Sequence, residues 1–451
     1  MSKDIRIKKG LDIKLVGEAK QNTTKVPFGG IYALKPEDFH GITPKLVAKE
    51  GAKIKAGETI FYSKDDERIL FPSPVSGFVT EVTRGARRKI LEIKITSSAA
   101  QDYKDFAIKD VSKMTSEEVK THLLASGCWP FIKQRPFDII ANPNQAPKAI
   151  FISGYDTAPL AADYDYILKG KDAELQVAIS TIAKLTQGKV HVSISNNTTQ
   201  SPFLNIKGIE IHKLSGPHPV GNVSTQIAKT NPINKGEVVW TITPQDLIVI
   251  GELLLTGKLN LERTIALTGS QVKTPHYVNV ISGASIATVL GTGLNSDDTA
   301  RVISGNPLTG REVKKGGYLG YYDNQITAIP EGDDYEFFGW NKPIFDKISP
   351  SRALTFSWLM PNKKYDLDTN TNGEHRAFVI TGSYENVFPL DIYPLQLLKA
   401  CMYKDLDEME ALGIYEVAPE DFALTEFICV SKQPHQKIIR DGLDLIKQEL
   451  G

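Results

Sequence analysis

Short apolar runs broken by turn residues open the chain. Between about Gly41 and Thr96 the runs "ETIFYS", "GFVTEV" and "KILEIKI" are separated by Gly, Pro and Asp. That spacing predicts an all-β module. A polar stretch, "TSSAAQDYKD", follows. Thr115-x-x-Glu118 then has the form of a capping box, so a short helix should run to Leu124 and stop at Gly127.

From there strands and helices alternate. "KAIFIS" (148–153), "KVHVSIS" (189–195), "EVVWTI" and "RTIALTG" read as strands. Between them, "DAELQVAISTIAKLTQG" places Leu175, Ile179, Ile182 and Leu185 on one helical face. "PQDLIVIGELLLTGK" has Pro244 near its first turn. Strand, helix, strand at this spacing predicts right-handed crossovers and a largely parallel sheet. After about Lys273 the pattern shifts to a compact α+β module: strand "HYVNVISG", short helix "ASIATVLGTG", then "ARVISGNPLTG". Beyond Trp340 the pattern weakens. "KKYDLDTNTNGEHR" reads as a loop, and two later stretches read as helices, the last with Ile438, Ile439, Leu443 and Ile446 near one face.

Composition changes this picture little. The 451 residues are 41% hydrophobic and 24% charged, and 53 Lys+Arg balance 53 Asp+Glu. A balanced charge gives no basic footprint for nucleic acid and mildly favours association with partners. Three cysteines (Cys128, Cys401, Cys429) and eight histidines are scattered without metal-ligand spacing, so a disulfide framework, a zinc site and a local iron–sulfur site are not expected. The N-terminal sequence has no signal-peptide core, and the most apolar run, Asp246 to Leu255, contains Gly251 and Glu252. That is short of the roughly 20 apolar residues of a spanning helix.

Candidate chemistry is sparse. The glycines of "FISGYDTAPLAADYD", "LGTGLNSDD" and "GPHPVGN" do not form the G-x-G-x-x-G loop that lets backbone N–H groups approach a pyrophosphate. Cys128, in "GCWPF", reads as a buried small hydrophobe. Asp156, Asp163 and Asp165 fit no calcium loop and read as turn and N-cap residues. "TRGARRK" reads as a solvated hairpin tip. In "SGPHPVGN" two prolines bracket His218. A fixed imidazole that hydrogen-bonds a carbonyl is one reading, and a solvent-exposed histidine on a stiff loop is the favoured one.

The stretch "GAKIKAGETIFYSKDDERILFPSPVSGFV" (51–79) has the rhythm of a lipoyl- or biotinyl-carrying domain. Its hairpin reads Lys64-Asp65-Asp66-Glu67, with no Met-Lys-Met turn for a carrier. Together with "IKKGLDIKLVG", "PSPVSGFVTEVTRGARRKILEI", "DTAPLAAD", "LSGPHPVGN", "VVWTITPQDLIVIGELLLTG", "ISGNPLTG" and "FPLDIYPLQLLKA", it resembles the A-subunit family of bacterial sodium-translocating NADH:quinone reductases (Na+-NQR), over essentially the whole chain. The resemblance implies an α/β multidomain fold with four parts: a lipoyl/biotinyl-like barrel-sandwich at 1–98, a Rossmann-like α/β domain at 99–258, a β-grasp (SLBB) module at 259–338 and a helical domain at 339–451. It also implies a peripheral subunit on the cytoplasmic face of the bacterial inner membrane, in a six-subunit complex that couples ubiquinone reduction by NADH to Na+ export. FMN, FAD, riboflavin and iron–sulfur would reside in other subunits, and this chain would bind no redox cofactor. Relatives in the Rnf complexes and in respiratory complex I hold FMN on a glycine-rich loop. Here that loop is "ASGCWPFIKQRPFD", with Trp129, Phe131 and Phe137, and the relatives' C-terminal cysteine cluster is reduced to Cys401 and Cys429. The expected role is docking, with part of a quinone path. His218 and Tyr155 are the quinone candidates, chosen for their loop positions. A scaffold without a quinone site is the alternative, and a soluble flavin-dependent oxidoreductase a third reading.

Overall fold

The computed structural model describes residues 2–296, 299–314, 316–332, 337–339, 345, 347–348 and 357–450. Trp340, where the sequence pattern weakens, lies outside them. A seven-stranded sheet organises the centre. Its strands are β1 (Asp4–Arg6), β2 (Lys133–Arg135), β3 (Ile139–Ile140), β4 (Ile150–Ser153), β5 (Val190–Ser195), β6 (Glu210–Ser215) and β7 (Val239–Thr241). The order is β1-β6-β5-β4-β7-β2-β3; the first five run parallel, and β2 and β3 close the far edge antiparallel. Strands β4 and β5 are buried almost throughout, as a parallel sheet covered on both faces requires.

The helices of this layer are α1 (Ser116–Ser126), α2 (Asp172–Ile182), α3 (Val223–Thr230) and α4 (Pro244–Thr256). Helix α1 starts with the capping box expected at Thr115 and Glu118 and ends at Gly127 in the left-handed conformation, which glycine adopts without a Cβ penalty. Helices α2 and α4 pack against each other on one face of the sheet. Their backbones meet at Gly251, where a Cβ would stand 2.1 Å from the Glu174 carbonyl oxygen. Helix α3 covers the other face, where Val223 and Ile227 meet Phe151 and Val239. The expected face of α2 is buried, although the α-helix ends at Ile182 and Leu185 lies in a following 3-10 turn.

Two smaller sheets, one of four and one of three strands, form the N-terminal barrel-sandwich. A six-stranded sheet, with Glu262–Thr268, His276–Ile281, Ala300–Ser304 and Gln325–Pro330 at its centre, forms the next module. Helices Pro394–Tyr403, Leu406–Ala411 and His435–Leu450 dominate the C-terminal part. One apolar core runs through the first three parts, while the C-terminal helices enclose clusters of their own. The first 25 residues do not stay in the barrel-sandwich. Asp4–Arg6 joins the central sheet beside β6, and Lys20–Lys25 joins the six-stranded sheet beside His276–Ile281. Residues "KQNTTK" are exposed at every position, a polar composition that protects a sheet edge and carries no apolar alternation.

A buried ion pair ties α4 to the six-stranded sheet. Arg263 Nη2 donates to Asp246 Oδ1, and both side chains are 1% exposed. Thr243, the N-cap of α4, donates to the other carboxylate oxygen at 2.7 Å, and Arg263 Nε donates to Ser282 Oγ at 3.0 Å. The carboxylate also sits in the first turn of α4, where the helix dipole favours negative charge. Removing either partner strands a charge or a guanidinium in the interior, which costs about 3–5 kcal/mol. Asp246→Asn and Arg263→Met should each lower the unfolding free energy by that order in denaturant titrations. The double variant should lose clearly less than the sum; additive losses would show that the two groups are not coupled.

Candidate functional site

The sheet changes direction at β4: β5 and β6 lie on one side of it and β7 on the other. In open α/β sheets ligands bind outside the carboxyl ends of the strands at such a switch point. A cleft of about 210 Å³ opens there. Ser153 at the end of β4, and Thr241 to Pro244 leading from β7 into α4, form its floor. His218 to Asn222, between β6 and α3, contribute one wall. Phe131, Lys133 and Arg135 form another, and Leu308 and Tyr322 come from the six-stranded module. Glu420 of the C-terminal part closes the rim.

His218 is buried, 4% exposed, so the solvent-exposed reading of this loop is wrong. Long-range partners take it out of water. Its backbone N–H donates to Asp12 Oδ1 at 2.9 Å, its carbonyl accepts from Leu11, and Thr157 Oγ1 lies 3.0 Å from Nδ1. Thr157 Oγ1 already accepts the Gly221 N–H at 2.9 Å. A hydroxyl has one proton and two lone pairs, so Thr157 holds His218 Nδ1 in either imidazole tautomer. Tyr155 takes a different place. Its half-buried side chain packs with Ile5, Ile7, Leu214 and Val220, and it borders a neighbouring acidic hollow with Asp163 and Asp165. The structure does not bring Tyr155 into the cleft with His218.

The charged groups of the cleft were not singled out from the sequence. Arg135 is buried, donates to Glu420 Oε1 at 2.9 Å and stands 3.5 Å from Asp138. Burial opposes ionisation of Asp138, but Arg135, Lys133 and Arg440 outweigh it and hold the carboxyl down to about 2. Asp156 is pushed up by burial, against the Ala158 N–H that it accepts. Lys133 Nζ lies 4.4 Å from the ring centre of Tyr322, whose hydroxyl donates to the Pro130 carbonyl at 2.6 Å. Arg135 and Glu420 are 285 positions apart. The topology, not any local motif, brings them together: the antiparallel β2 sets Lys133 beside Thr241 at the cleft end of β7, with Arg135 two residues on, and Glu420 comes from the C-terminal part.

Phe131, Tyr322, Ile242 and Leu308 give the cleft apolar surface, and Lys133, Arg135, Asp138, Asp156 and Glu420 give it charge. Its volume is below the ~300–1000 Å³ of typical ligand pockets, enough for one ring and too little for a dinucleotide. The loop after α1 does not form a phosphate cradle. The N–H groups of Gly127, Cys128, Phe131 and Ile132 all donate to nearby carbonyls, and the Trp129 indole fills the interior, donating to the Ala141 carbonyl at 2.7 Å. Cys128 is fully buried, and burial pushes its thiol up to about 12, as expected of an inert packing residue. Asp163 caps a short helix and Asp156 closes a turn, in line with their sequence reading.

Burial pushes His218 from 6.5 down to about 4. Between those values the unfolded chain takes up the proton first. The stability held above about pH 6.5 is therefore lost as pH falls toward 4, by about 1.4 kcal/mol per pH unit for one such group. In His218→Gln the acid limb of the denaturation midpoint should be shallower by about that slope across this window. An unchanged slope would mean that the imidazole titrates as it does in water.

Comparison with known proteins places this architecture. Residues 5–98 match the NqrA N-terminal barrel-sandwich hybrid domain, residues 114–259 the NqrA second alpha/beta domain, and residues 264–315 the NQRA C-terminal domain of SLBB type. The Na(+)-translocating NADH-quinone reductase A subunit of Neisseria meningitidis serogroup B is 36% identical over 449 residues, 99% of this chain and 100% of the relative. Those of Yersinia pestis bv. Antiqua and Rhodopirellula baltica are 35% and 34% identical, covering 99% and 98% of this chain and 100% and 98% of their own lengths. Among solved structures, an air-oxidized NAD+-reducing [NiFe]-hydrogenase aligns at 9% identity and a TM-score of 0.38, over 74% of this chain and 66% of its own. Full-length identity at this level, with all three domain families in order, shows that the chain belongs to the NqrA family, the A subunits of the Na(+)-translocating NADH-quinone reductases.

Proposed function

We propose that the chain is the peripheral subunit on the cytoplasmic face of the complex. In this reading it docks the integral membrane flavoprotein subunits and receives the head group of ubiquinone in the switch-point cleft, without a redox cofactor of its own. FMN, FAD, riboflavin and iron–sulfur then belong to the partner subunits. The four parts at 1–98, 99–258, 259–338 and 339–451 act as one body, the first lending strands to the next two.

The docking role rests on one observation. Among the described residues, most of the exposed large apolar side chains fall between Phe337 and Val430, including Trp358, Ile380, Tyr393 and Tyr403, which are 61%, 78%, 65% and 83% exposed. We read this concentration along one part of the chain as support for a docking surface there. No described helix is long and apolar enough to cross a membrane, which suits attachment through partners. What supports the quinone site is the small volume of the cleft, its aromatic side chains Phe131 and Tyr322, and the buried His218 held by Thr157, whose imidazole hydrogen-bonds a carbonyl oxygen when Nε2 carries the proton. The lowered pKa keeps that imidazole neutral near pH 7.

Tagging the chain in its native bacterium and purifying from mild detergent should bring down integral membrane flavoproteins and sodium-stimulated NADH:quinone reductase activity. Recovery of the chain alone from the soluble fraction would sink the docking reading. For the cleft, a short-chain ubiquinone should bind the purified chain saturably, and His218→Gln should weaken it about tenfold, the value of one hydrogen bond of roughly 1.4 kcal/mol. Saturable binding unaffected by the substitution would move quinone elsewhere, and no saturable binding would leave the scaffold reading.

A further inference from the structure

We infer that the chain carries a second site, for one divalent transition-metal ion of the zinc class, built by His191, Glu210 and His212 at the end of the central sheet opposite the cleft. Strands β5 and β6 run in parallel register, with His191 beside Glu210 and Ser193 beside His212. The three side chains therefore share one face of the sheet. His191 Nδ1 lies 3.0 Å from His212 Nε2 and 3.5 Å from a Glu210 carboxylate oxygen, and the donor atoms of all three lie within 4.8 Å of one another. A tetrahedral ion with bonds of about 2.0–2.1 Å has its ligand atoms roughly 3.3–3.4 Å apart. The two closest separations bracket that value before any ion has drawn the ligands in.

Donor chemistry selects the ion. Two imidazoles and one carboxylate suit Zn2+, Co2+, Ni2+ or Cu2+, whereas Mg2+ and Ca2+ favour all-oxygen shells. A metal takes up neutral imidazoles and an ionised carboxylate. Burial, with His212 beside it, pushes His191 down to about 4, and burial lowers His212 as well. The hydrogen bond from Lys189 holds Glu210 down to about 2. The rings are fixed in place: His191 stacks on Phe151 with centroids 4.8 Å apart, and His212 is 1% exposed. Three protein ligands leave a fourth position for water.

Existing contacts compete with the ion, those of Lys189 and Lys3 among them. Lys189 pairs with Glu210, but its side chain is 61% exposed and can swing into water. The Lys3 N–H donates to His212 Nδ1 at 3.2 Å, which leaves the proton of that ring on Nε2, pointing to His191. A metal at Nε2 displaces this proton to Nδ1, and the Lys3 contact opens. Binding is therefore expected to loosen the start of β1. The site sits at the amino ends of β5 and β6, so it staples two strands and takes no part in the cleft.

The test uses the full-length chain, stripped with chelator and dialysed against Zn2+ or Co2+. The expected result is one Zn2+ retained per chain, a raised thermal midpoint by mass action, and the intense visible bands of tetrahedral Co2+. His191→Gln and Glu210→Gln should each weaken binding about tenfold or more, while His375→Gln, at an exposed position in the C-terminal part, should bind as the parent does. No metal retained by the parent chain, a weak octahedral cobalt spectrum, or equal binding by the two ligand variants would each overturn the site. Should those variants fail to fold, the cobalt spectrum of the parent chain decides alone.

Discussion

Two charges buried far from water fix the relation between the α/β layer and the six-stranded module. Asp246 and Arg263 come from different parts of the chain's architecture, and each is almost fully enclosed. Neither charge is tolerable there without the other. Their pairing sets where the first turn of α4 stands relative to strand Glu262–Thr268. That turn forms the floor of the cleft, while Leu308 and Tyr322 of the module form a wall. The geometry of the cleft is thus a consequence of one interior electrostatic constraint. Thr243, Ser282 and Asn324 hold the two side chains in the orientations that satisfy it.

How much of this was legible in the sequence depended on how local the physics was. The strands at 150–153 and 190–195, the capping box at Thr115, the stop at Gly127 and the burial of Cys128 follow from residue type and period, and all are found. The strand at 20–25 is polar at every position because it lies on an edge, so no apolar pattern announces it. The burial of His218 depends on Asp12 and Leu11, some two hundred residues earlier. Arg135 stood in a segment read only for its missing glycines, and its partner Glu420 belongs to another part of the chain. The grouping of His191, Glu210 and His212 requires the register of two neighbouring strands, which spacing along the chain does not state.

Side-chain packing braces both the barrel-sandwich and the α/β layer. In the barrel-sandwich, the hairpin between Thr59–Ser63 and Leu70–Pro72 is braced by Arg68 on Asp66 and Asn144, and it presents Lys64 without a flanking methionine. In the α/β layer, Trp129 and Trp240 meet edge to face at 5.4 Å in the interior, beside the turn that follows α1.

The path of the first residues has a consequence for how the chain is made. Asp4–Arg6 pairs with residues 213–215, Ile13 and Leu15 pack with Leu424 and Cys429, and Lys20–Lys25 pairs along residues 276–279. Each of these partners leaves the ribosome long after the segment it must receive. The barrel-sandwich that follows can close on nearby strands, since its pairings lie within residues 31–97. Residues 4–25 are therefore anchored in stages: Asp4–Arg6 after residues 213–215 are made, Lys20–Lys25 after residues 276–279, and Ile13 and Leu15 only when Leu424 and Cys429 join them. Loss of residues 424–429 would strip Ile13 and Leu15 of that packing and leave both strand pairings in place.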